Sequence, residues 1–252
     1  MLKVRIIPTL LYRDFGLVKG ERFDSRRAVG SPVQAIKVYN LRGVDELVFL
    51  DVTATVGGRR PDFELIDELA DECFMPLAVG GGVRTLEDVR ILLQVGADKV
   101  VINTAAVESP DLVQMAAEQF GSQCVVVSID TKVEADGASR VWVRSGTVPT
   151  GRDPVELAVE MEALGAGEII ITSIDRDGTM QGYDIDTIRR VSRAVTVPVI
   201  ASGGAGSFED MGRALVEGEA SAVAAGAMFH FTQQTPAEAK RYLKTLGLPV
   251  RR

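Results

Sequence analysis

The stretch PLAVGGGVRTLED at residues 76–88 decides the fold, because residues 198–210 repeat it as PVIASGGAGSFED. The prolines, the paired glycines and the closing Glu-Asp of each copy align at an offset of 122 residues. The same offset places DELVFLD at residues 45–51 on GEIIITS at residues 167–173. Two matches at one spacing predict an internal duplication. We therefore expect a single domain over residues 1–252, built from tandem halves at about 1–120 and 121–252.

Short β-branched runs alternate with amphipathic segments along the chain. The runs lie at residues 4–7, 46–50, 76–79, 99–102, 124–129, 168–172, 198–201 and 221–225. The amphipathic segments lie at residues 32–41, 62–72, 86–93, 110–119, 154–164, 185–194, 208–216 and 236–243. Runs that are apolar throughout favour strands buried on both faces, as in a parallel sheet. The pattern predicts an α/β protein with a (β/α)₈ TIM barrel. The alternative, a doubly wound open sheet, lacks its glycine fingerprint after the first strand.

The composition narrows the classes of function. A chain of 252 residues with 46% hydrophobic residues can bury a large core, and its net charge of −7 argues against nucleic acid as a partner. No apolar run reaches the length of about 18 residues that a membrane span needs. The amino-terminal residues lack the pattern of a secretory signal, so we expect a cytoplasmic protein.

Histidine and cysteine are too scarce for several kinds of site. The single histidine, His230, excludes a multi-histidine metal site and argues against a histidine-dependent triad; a structural role is expected for it. Cys73 and Cys124 lie far apart in apolar contexts, which favours reduced core thiols over a disulfide or a metal knuckle. We predict neither a metal centre nor a cofactor.

The glycine pairs indicate where a ligand would bind. In TIM barrels the chemistry lies at the carboxyl ends of the strands. Gly81-Gly82 and Gly203-Gly204 end strands there and lead to Thr85 and Ser207, which are expected to cap helices. Glycine loops at helix starts can cradle phosphate, and two related copies predict a ligand with a phosphate at each end. The alternative for each loop is a tight strand-to-helix turn.

Polar residues after other strands extend this prediction. Asn103-Thr104 could complete the first cradle and Ala225-Gly226 the second. The loop that contains Asp177-Gly178 is unusually polar, and its alternative is a solvated turn. Asp130 ends the fifth strand, where partial shielding from water would raise its pKa and suit it to general acid or base catalysis. Its alternative is a salt bridge with Lys132 or Lys19.

Several motifs, taken in order, closely resemble the cyclase subunit of imidazole glycerol phosphate synthase, the HisF type, over nearly the whole chain. The motifs are FLDVTA at 49–54, VGGG at 79–82, ADKVVINTAA at 97–106, FGSQ at 120–123, TSIDRDG at 172–178 and ASGGAG at 201–206. The resemblance implies a glutaminase partner at the amino-terminal face of the barrel. Ammonia would pass through the barrel to a bisphosphorylated ribonucleotide, which is cleaved and cyclised.

The resemblance also assigns roles to individual residues. Arg5, Glu46, Lys99 and Glu168 match a charged gate at the tunnel entrance; their alternative is a salt-bridge layer that only closes the barrel. Asp98 matches a residue that faces the glutaminase. At the carboxyl ends of the strands, the residues expected to bind the phosphorylated ligand are Lys19, Gly81, Gly82, Asn103, Thr104, Asp177, Gly178, Gly203, Gly204, Ala225 and Gly226.

One position departs from the family pattern. The family's catalytic acids are aspartates that end the first and fifth strands. Asp130 matches the second, but the first falls on Leu11, within PTLLYRDFG at residues 8–16. Leucine cannot exchange a proton, and Asp14 lies three residues farther along.

This departure bears on the function expected. Three segments of the chain, PTLL at 8–11, ECFMP at 72–76 and AAGAMF at 224–229, resemble a second-copy paralogue of the HisF family. The resemblance implies an association with a glutaminase and an N-acetyl sugar amidotransferase in forming acetamidino sugars for surface polysaccharides. Supply of ammonia for this amidination is therefore the function expected first. Cyclase activity in histidine biosynthesis is the alternative, and a non-catalytic scaffold is a third.

Overall fold

A computed structural model describes residues 3–14 and 16–251, with the side chains of residues 25 and 26 left aside. The strands are β1 (Arg5–Arg13), β2 (Gly16–Glu21), β3 (Asp24–Gly30), β4 (Leu47–Asp51), β5 (Leu77–Gly80), β6 (Lys99–Ile102), β7 (Val125–Val133), β8 (Ser139–Val143), β9 (Val148–Pro149), β10 (Glu168–Ser173), β11 (Val199–Ser202) and β12 (Ala222–Ala225). The helices are α1 (Pro32–Leu41), α2 (Phe63–Glu72), α3 (Leu86–Gln94), α4 (Thr104–Glu108), α5 (Asp111–Phe120), α6 (Pro154–Ala163), α7 (Ile185–Ala194), α8 (Phe208–Val216), α9 (Ala227–Phe231) and α10 (Pro236–Thr245).

Eight parallel strands close into a barrel in the order β1, β4, β5, β6, β7, β10, β11 and β12, and β12 pairs again with β1. The helices between these strands cover the outside. The predicted (β/α)₈ barrel is confirmed. Since three strands separate β1 from β7 in either direction, the ends of these two strands face each other across the mouth.

Two hairpins extend the barrel and were not predicted. β1 continues to Arg13 and pairs with β2, which pairs with β3. Likewise β7 continues to Val133 and pairs with β8, which pairs with β9. The predicted bounds of the first strand, residues 4–7, were wrong, because the chain stays extended to Arg13 and Leu11 pairs with Val18.

The core has two parts that follow from strand alternation, since successive side chains point to opposite faces of the barrel wall. The larger part lies between the barrel and the helices and includes Phe49, Leu47 and Ile102. The smaller part fills the barrel interior and consists of Ile7, Val48, Ala78, Val101, Val126, Ile170, Ile200, Ala222 and Ala224, with Leu50 packed against it. We call this second part the apolar layer.

The helix starts agree with the sequence signals. Thr85 and Ser207 each accept from the amide three residues on, and Asp88 and Asp210 return a bond to the cap residue, so both predicted N-caps are full capping boxes. They occupy corresponding places in the two predicted halves. Among the described residues, no helix has both the length and the apolar character needed to cross a membrane.

The two capping boxes should stabilise the fold independently. Thr85→Ala and Ser207→Ala are each expected to lower the free energy of unfolding by about 1 kcal/mol, because each leaves helix amides without their acceptor. The sites follow β5 and β11 on opposite sides of the barrel. The loss in the free energy of unfolding in the double variant should therefore equal the sum of the two single losses. Urea denaturation measures this. Ser31→Ala is the control, since Ser31 makes no side-chain cap bond; an equal loss there would contradict the assignment.

Candidate functional site

An open cavity lies at the carboxyl ends of the barrel strands. All the residues predicted to bind the ligand or to exchange protons line it. They are Lys19, Gly81, Gly82, Asn103, Thr104, Asp130, Asp177, Gly178, Gly203, Gly204, Ala225 and Gly226. Leu11 lines it too. The structure brings the predicted site together, and the roles of its members stay predictions. We call this cavity the mouth.

Asp130 is held by neutral donors in the mouth wall. The amide of Asn103 donates to one carboxylate oxygen over 3.1 Å, and the hydroxyl of Ser128 donates to the other over 3.4 Å. Burial, and next the negative charge of Asp177, raise the pKa of Asp130 to about 7, although these two donors oppose the shift. A carboxyl group with this pKa can give or accept a proton near neutral pH.

The alternative of a salt bridge at Asp130 was wrong, because both candidate lysines are engaged elsewhere. Lys19 is buried and donates to both oxygens of Asp177, at 2.7 and 2.8 Å. Lys132 lies over the ring of Trp142. The loop that contains Asp177 is a turn over residues 174–179 with Arg176 exposed, as the alternative had it. The side chain of Asp177 is nevertheless not solvated, since it joins the hairpin of β2 to this loop. The backbone amide of Arg22 donates to the Asp177 carbonyl.

The glycine loops need glycine for steric reasons. Gly81 has φ of 107°, and a Cβ there would lie 2.3 Å from the Asp51 carbonyl oxygen. Gly204 has φ of 111°, and a Cβ there would lie 2.2 Å from the Gly182 carbonyl oxygen. The tight-turn alternative therefore explains these glycines in part. The Gly82 amide already donates to the Thr55 hydroxyl oxygen over 3.2 Å, so it is not among the donors free for a phosphate.

No described acid takes the place left by Leu11. Of the described residues lining the mouth, Asp51, Asp130 and Asp177 carry carboxylates. Asp51 is saturated by two backbone amides, a hydroxyl and Arg59, and Asp177 is paired with Lys19. Asp14 is exposed and pairs with Arg13. Asp130 is thus the lining carboxylate to which no described cation is bonded.

Sequence reasoning missed part of the mouth. Thr9, Thr172 and Ser202 line it from β1, β10 and β11, and strand alternation alone could have placed them inward. Phe23 and Ser145 line it from the two unpredicted hairpins. The turn at Phe23 has left-handed residues without glycine or asparagine, so the usual signal for such a turn is missing.

A ring of four charged side chains crosses the other end of the barrel. Arg5 lies 2.6 Å from Glu46 and 2.8 Å from Glu168, and Lys99 lies 2.9 Å from Glu46 and 3.0 Å from Glu168. Burial disfavours the charge of Arg5, but the two glutamates outweigh it and raise its pKa. We call these four residues the charged ring. It lies on the barrel axis, with the apolar layer between it and the mouth.

Two further predicted positions are accounted for. Asp98 is exposed beside the charged ring, and its carboxylate accepts from the Leu77 amide over 2.8 Å. His230 lies outside the lining of the mouth, where burial and then the charge of Lys19 lower its pKa. Within the described part of the chain, no three His, Cys, Asp or Glu side chains are grouped to hold a metal ion.

The chain is similar to known proteins along its length. The family model described as histidine biosynthesis protein matches residues 5–235. The imidazole glycerol phosphate synthase subunit HisF of Dehalococcoides mccartyi is 50% identical over 251 residues, covering 100% of this chain and 99% of that protein. The subunit of the same name from Caulobacter vibrioides strain NA1000 is 51% identical over 252 residues, covering 100% of this chain and 97% of that protein.

The raised pKa of Asp130 predicts a pH-dependent stability. The folded chain keeps the Asp130 proton up to about pH 7, whereas the unfolded chain loses it near the ordinary aspartate pKa of 3.8. Stability should therefore fall as pH rises through that window. Asp130→Asn is expected to raise the free energy of unfolding at pH 8 by a few kcal/mol at most, and to change it little at pH 4.

Urea titrations at the two pH values test this expectation, with Asp136→Asn as the exposed control. The same gain for Asp130→Asn at both pH values would show that the carboxyl group is not buried in the way described.

Proposed function

Because the chain belongs to the HisF family of histidine biosynthesis proteins, we propose that it is the synthase subunit of a glutamine-dependent complex of the imidazole glycerol phosphate synthase type. The observation that supports this proposal is the arrangement along one barrel axis. The charged ring lies at the amino end, the apolar layer in the middle, and the mouth with Asp130 at the carboxyl end.

The proposed path carries ammonia from a glutaminase of the HisH type. That partner would dock on the amino-terminal face, where Asp98 is exposed. An ion loses its hydration in an apolar passage, so the apolar layer favours neutral ammonia over ammonium. Three side chains of this layer are small, because residues 78, 222 and 224 are alanines. The charged ring closes the entrance and would have to rearrange for ammonia to pass.

The mouth would bind a phosphorylated ligand across its width. Gly81 and Gly82 lie on one side and Gly203 and Gly204 on the other, after β5 and β11, which are opposite strands of the barrel. Asp130 would take a proton from the attacking ammonia or return one to the product. The relatives named above favour a ligand of imidazole glycerol phosphate synthesis. The resemblance of the sequence motifs implies that this ligand is the bisphosphorylated ribonucleotide, which is cleaved and cyclised.

Leu11 favours a second candidate function. It stands across the mouth from Asp130, on the wall where the family pattern has its other catalytic acid. Loss of a positioned acid or base typically costs about 10² to 10⁴ in rate. In the second candidate function, the subunit mainly delivers ammonia, and an N-acetyl sugar amidotransferase uses it to form an acetamidino group.

Replacement of Leu11 distinguishes the two candidates. With the bisphosphorylated ribonucleotide and ammonium salt, Leu11→Asp is expected to raise product formation by about 10²-fold or more, because it restores a second proton-exchanging group. Leu11→Asn is the matched control: it is similar in size and polar, but it cannot ionise. Steady-state product assays measure the effect. Efficient turnover by the unchanged chain, with no gain in Leu11→Asp, would refute the second candidate and support the cyclase.

Substitution in the charged ring tests the ammonia path. In the complex with the glutaminase, Lys99→Met should lower the transfer of glutamine nitrogen to the acceptor, because Glu46 and Glu168 lose a shared partner and the entrance is distorted. Turnover with external ammonium should change little. Labelled glutamine mixed with unlabelled ammonium gives the ratio of product nitrogen that comes from glutamine to product nitrogen that comes from free ammonium. Lys37→Met, at an exposed ion pair with Glu72, is the control. An unchanged ratio in Lys99→Met would contradict the proposed path.

A further inference from the structure

Below the charged ring, Asp45 takes the place of a backbone partner for β1. The ladder between β1 and β4 runs from Thr9 to Tyr12 on β1. Beneath it, the backbone amide of Ile6 donates over 3.0 Å to a carboxylate oxygen of Asp45. This side-chain bond therefore fixes the spacing of the two chains where the β-ladder has ended.

The position of this bond matters because both of its residues adjoin the charged ring. Ile6 directly follows Arg5, and Asp45 directly precedes Glu46. Arg5 and Glu46 make the shortest contact of the ring, 2.6 Å. A shift of either backbone would move one side of the ring, and the other contacts would follow, because each ring member bonds to two others.

The carboxylate of Asp45 depends on Lys240 of the last helix. Asp45 is 5% exposed, and its second oxygen lies 2.7 Å from the Lys240 ammonium, which also donates to the Gly43 carbonyl over 2.9 Å. A buried carboxylate without a cation is strongly disfavoured. The chain end adds further contacts here, since the amide of Val4 donates to the carbonyl of Pro249. Lys240 thus keeps Asp45 buried against Ile6.

We infer that Asp45 and Lys240 are positioning residues for the charged ring, and that they couple the docking of α10 to the geometry of the ring. The inference deepens the proposed function, because this geometry controls ammonia entry only if ammonia enters there. The positioning itself can be measured without a glutaminase or an acceptor.

The test uses the reactivity of the Lys99 amine in the full chain. Lys99 is bonded to Glu46 and Glu168, with 15% of its side chain exposed, so reductive methylation should be slow. Lys240→Met is expected to raise the methylation rate of Lys99 at least about fivefold. This factor corresponds to a loss of about 1 kcal/mol in the free energy that holds Lys99 in the charged ring. In Lys240→Arg the methylation rate of Lys99 should stay close to its rate in the unchanged chain. Mass spectrometry quantifies each lysine.

Controls separate local displacement from general loosening. The methylation rate of Lys132, on β7 over the ring of Trp142, should stay constant in every variant. Val191→Ala, a buried substitution on α7, should lower stability without exposing Lys99. Glu46→Gln, which breaks the ring directly, sets the upper level of reactivity.

A matched pair keeps the inference testable if Lys240→Met fails to fold. Asp45→Asn/Lys240→Met and Asp45→Ala/Lys240→Met both avoid a lone buried ion, but asparagine alone keeps an oxygen for the Ile6 amide. Raised Lys99 reactivity is expected only in the alanine variant. Equal reactivity in the two, or no rise in a folded Lys240→Met, would overturn the inference.

The outcomes also separate this inference from the proposed function. If Glu46→Gln leaves the transfer of glutamine nitrogen unchanged while Lys240→Met raises Lys99 reactivity, the ammonia path fails and the positioning stands. If Glu46→Gln disrupts transfer but Lys99 keeps its low reactivity in Lys240→Met, the path stands and the positioning fails.

Discussion

The alternation of side chains along eight parallel strands in a closed barrel fixes what each depth of this molecule can contain. On β1 the inward positions are Arg5, Ile7, Thr9 and Leu11. Arg5 belongs to the charged ring, Ile7 to the apolar layer, and Thr9 and Leu11 to the mouth. β10 repeats the order with Glu168, Ile170 and Thr172. A slip of one residue in either strand would turn every one of these side chains to the outer face. The register of the strands therefore sets both the core and the site.

Charges can lie inside such a barrel only where each finds a partner of opposite sign. The charged ring has two cations and two anions, and each member bonds to two others. Burying such ions costs several kcal/mol each, and good pairing geometry only offsets this cost. The charged ring is therefore expected to add little to the net stability of the fold. A fully apolar layer at this depth would close the barrel as well. The ions on the axis therefore fit the proposed role in ammonia passage better than a role in folding.

The parts of the fold that the sequence predicted are those with local signals. Helix starts were predictable because cap residues such as Thr85 and Ser207 satisfy amides within their own segment. The glycine pairs revealed the mouth because only glycine fits there. The turn between β2 and β3 carried no such signal, because it places Arg22 and Phe23 in left-handed conformations. The turn between β7 and β8 contains Asp136-Gly137, a hairpin signal that was present in the sequence but was not used. The pairing of Lys19 with Asp177 spans 158 residues and depends on one of those hairpins, so no local pattern could predict it.

The mouth as it stands is suited to moving one proton rather than two. Asp130 has neutral donors and a pKa near 7, whereas Asp51 and Asp177 are tied to cations. Addition of ammonia to an electrophilic carbon leaves one excess proton on nitrogen, which a single base can remove. Ring closure with cleavage needs a proton taken at one place and another given elsewhere, and Leu11 offers nothing for the second. Under the proposed function, the chain therefore retains the groups for delivering ammonia and for the first proton transfer, and the side chain at position 11 decides whether the chemistry goes further.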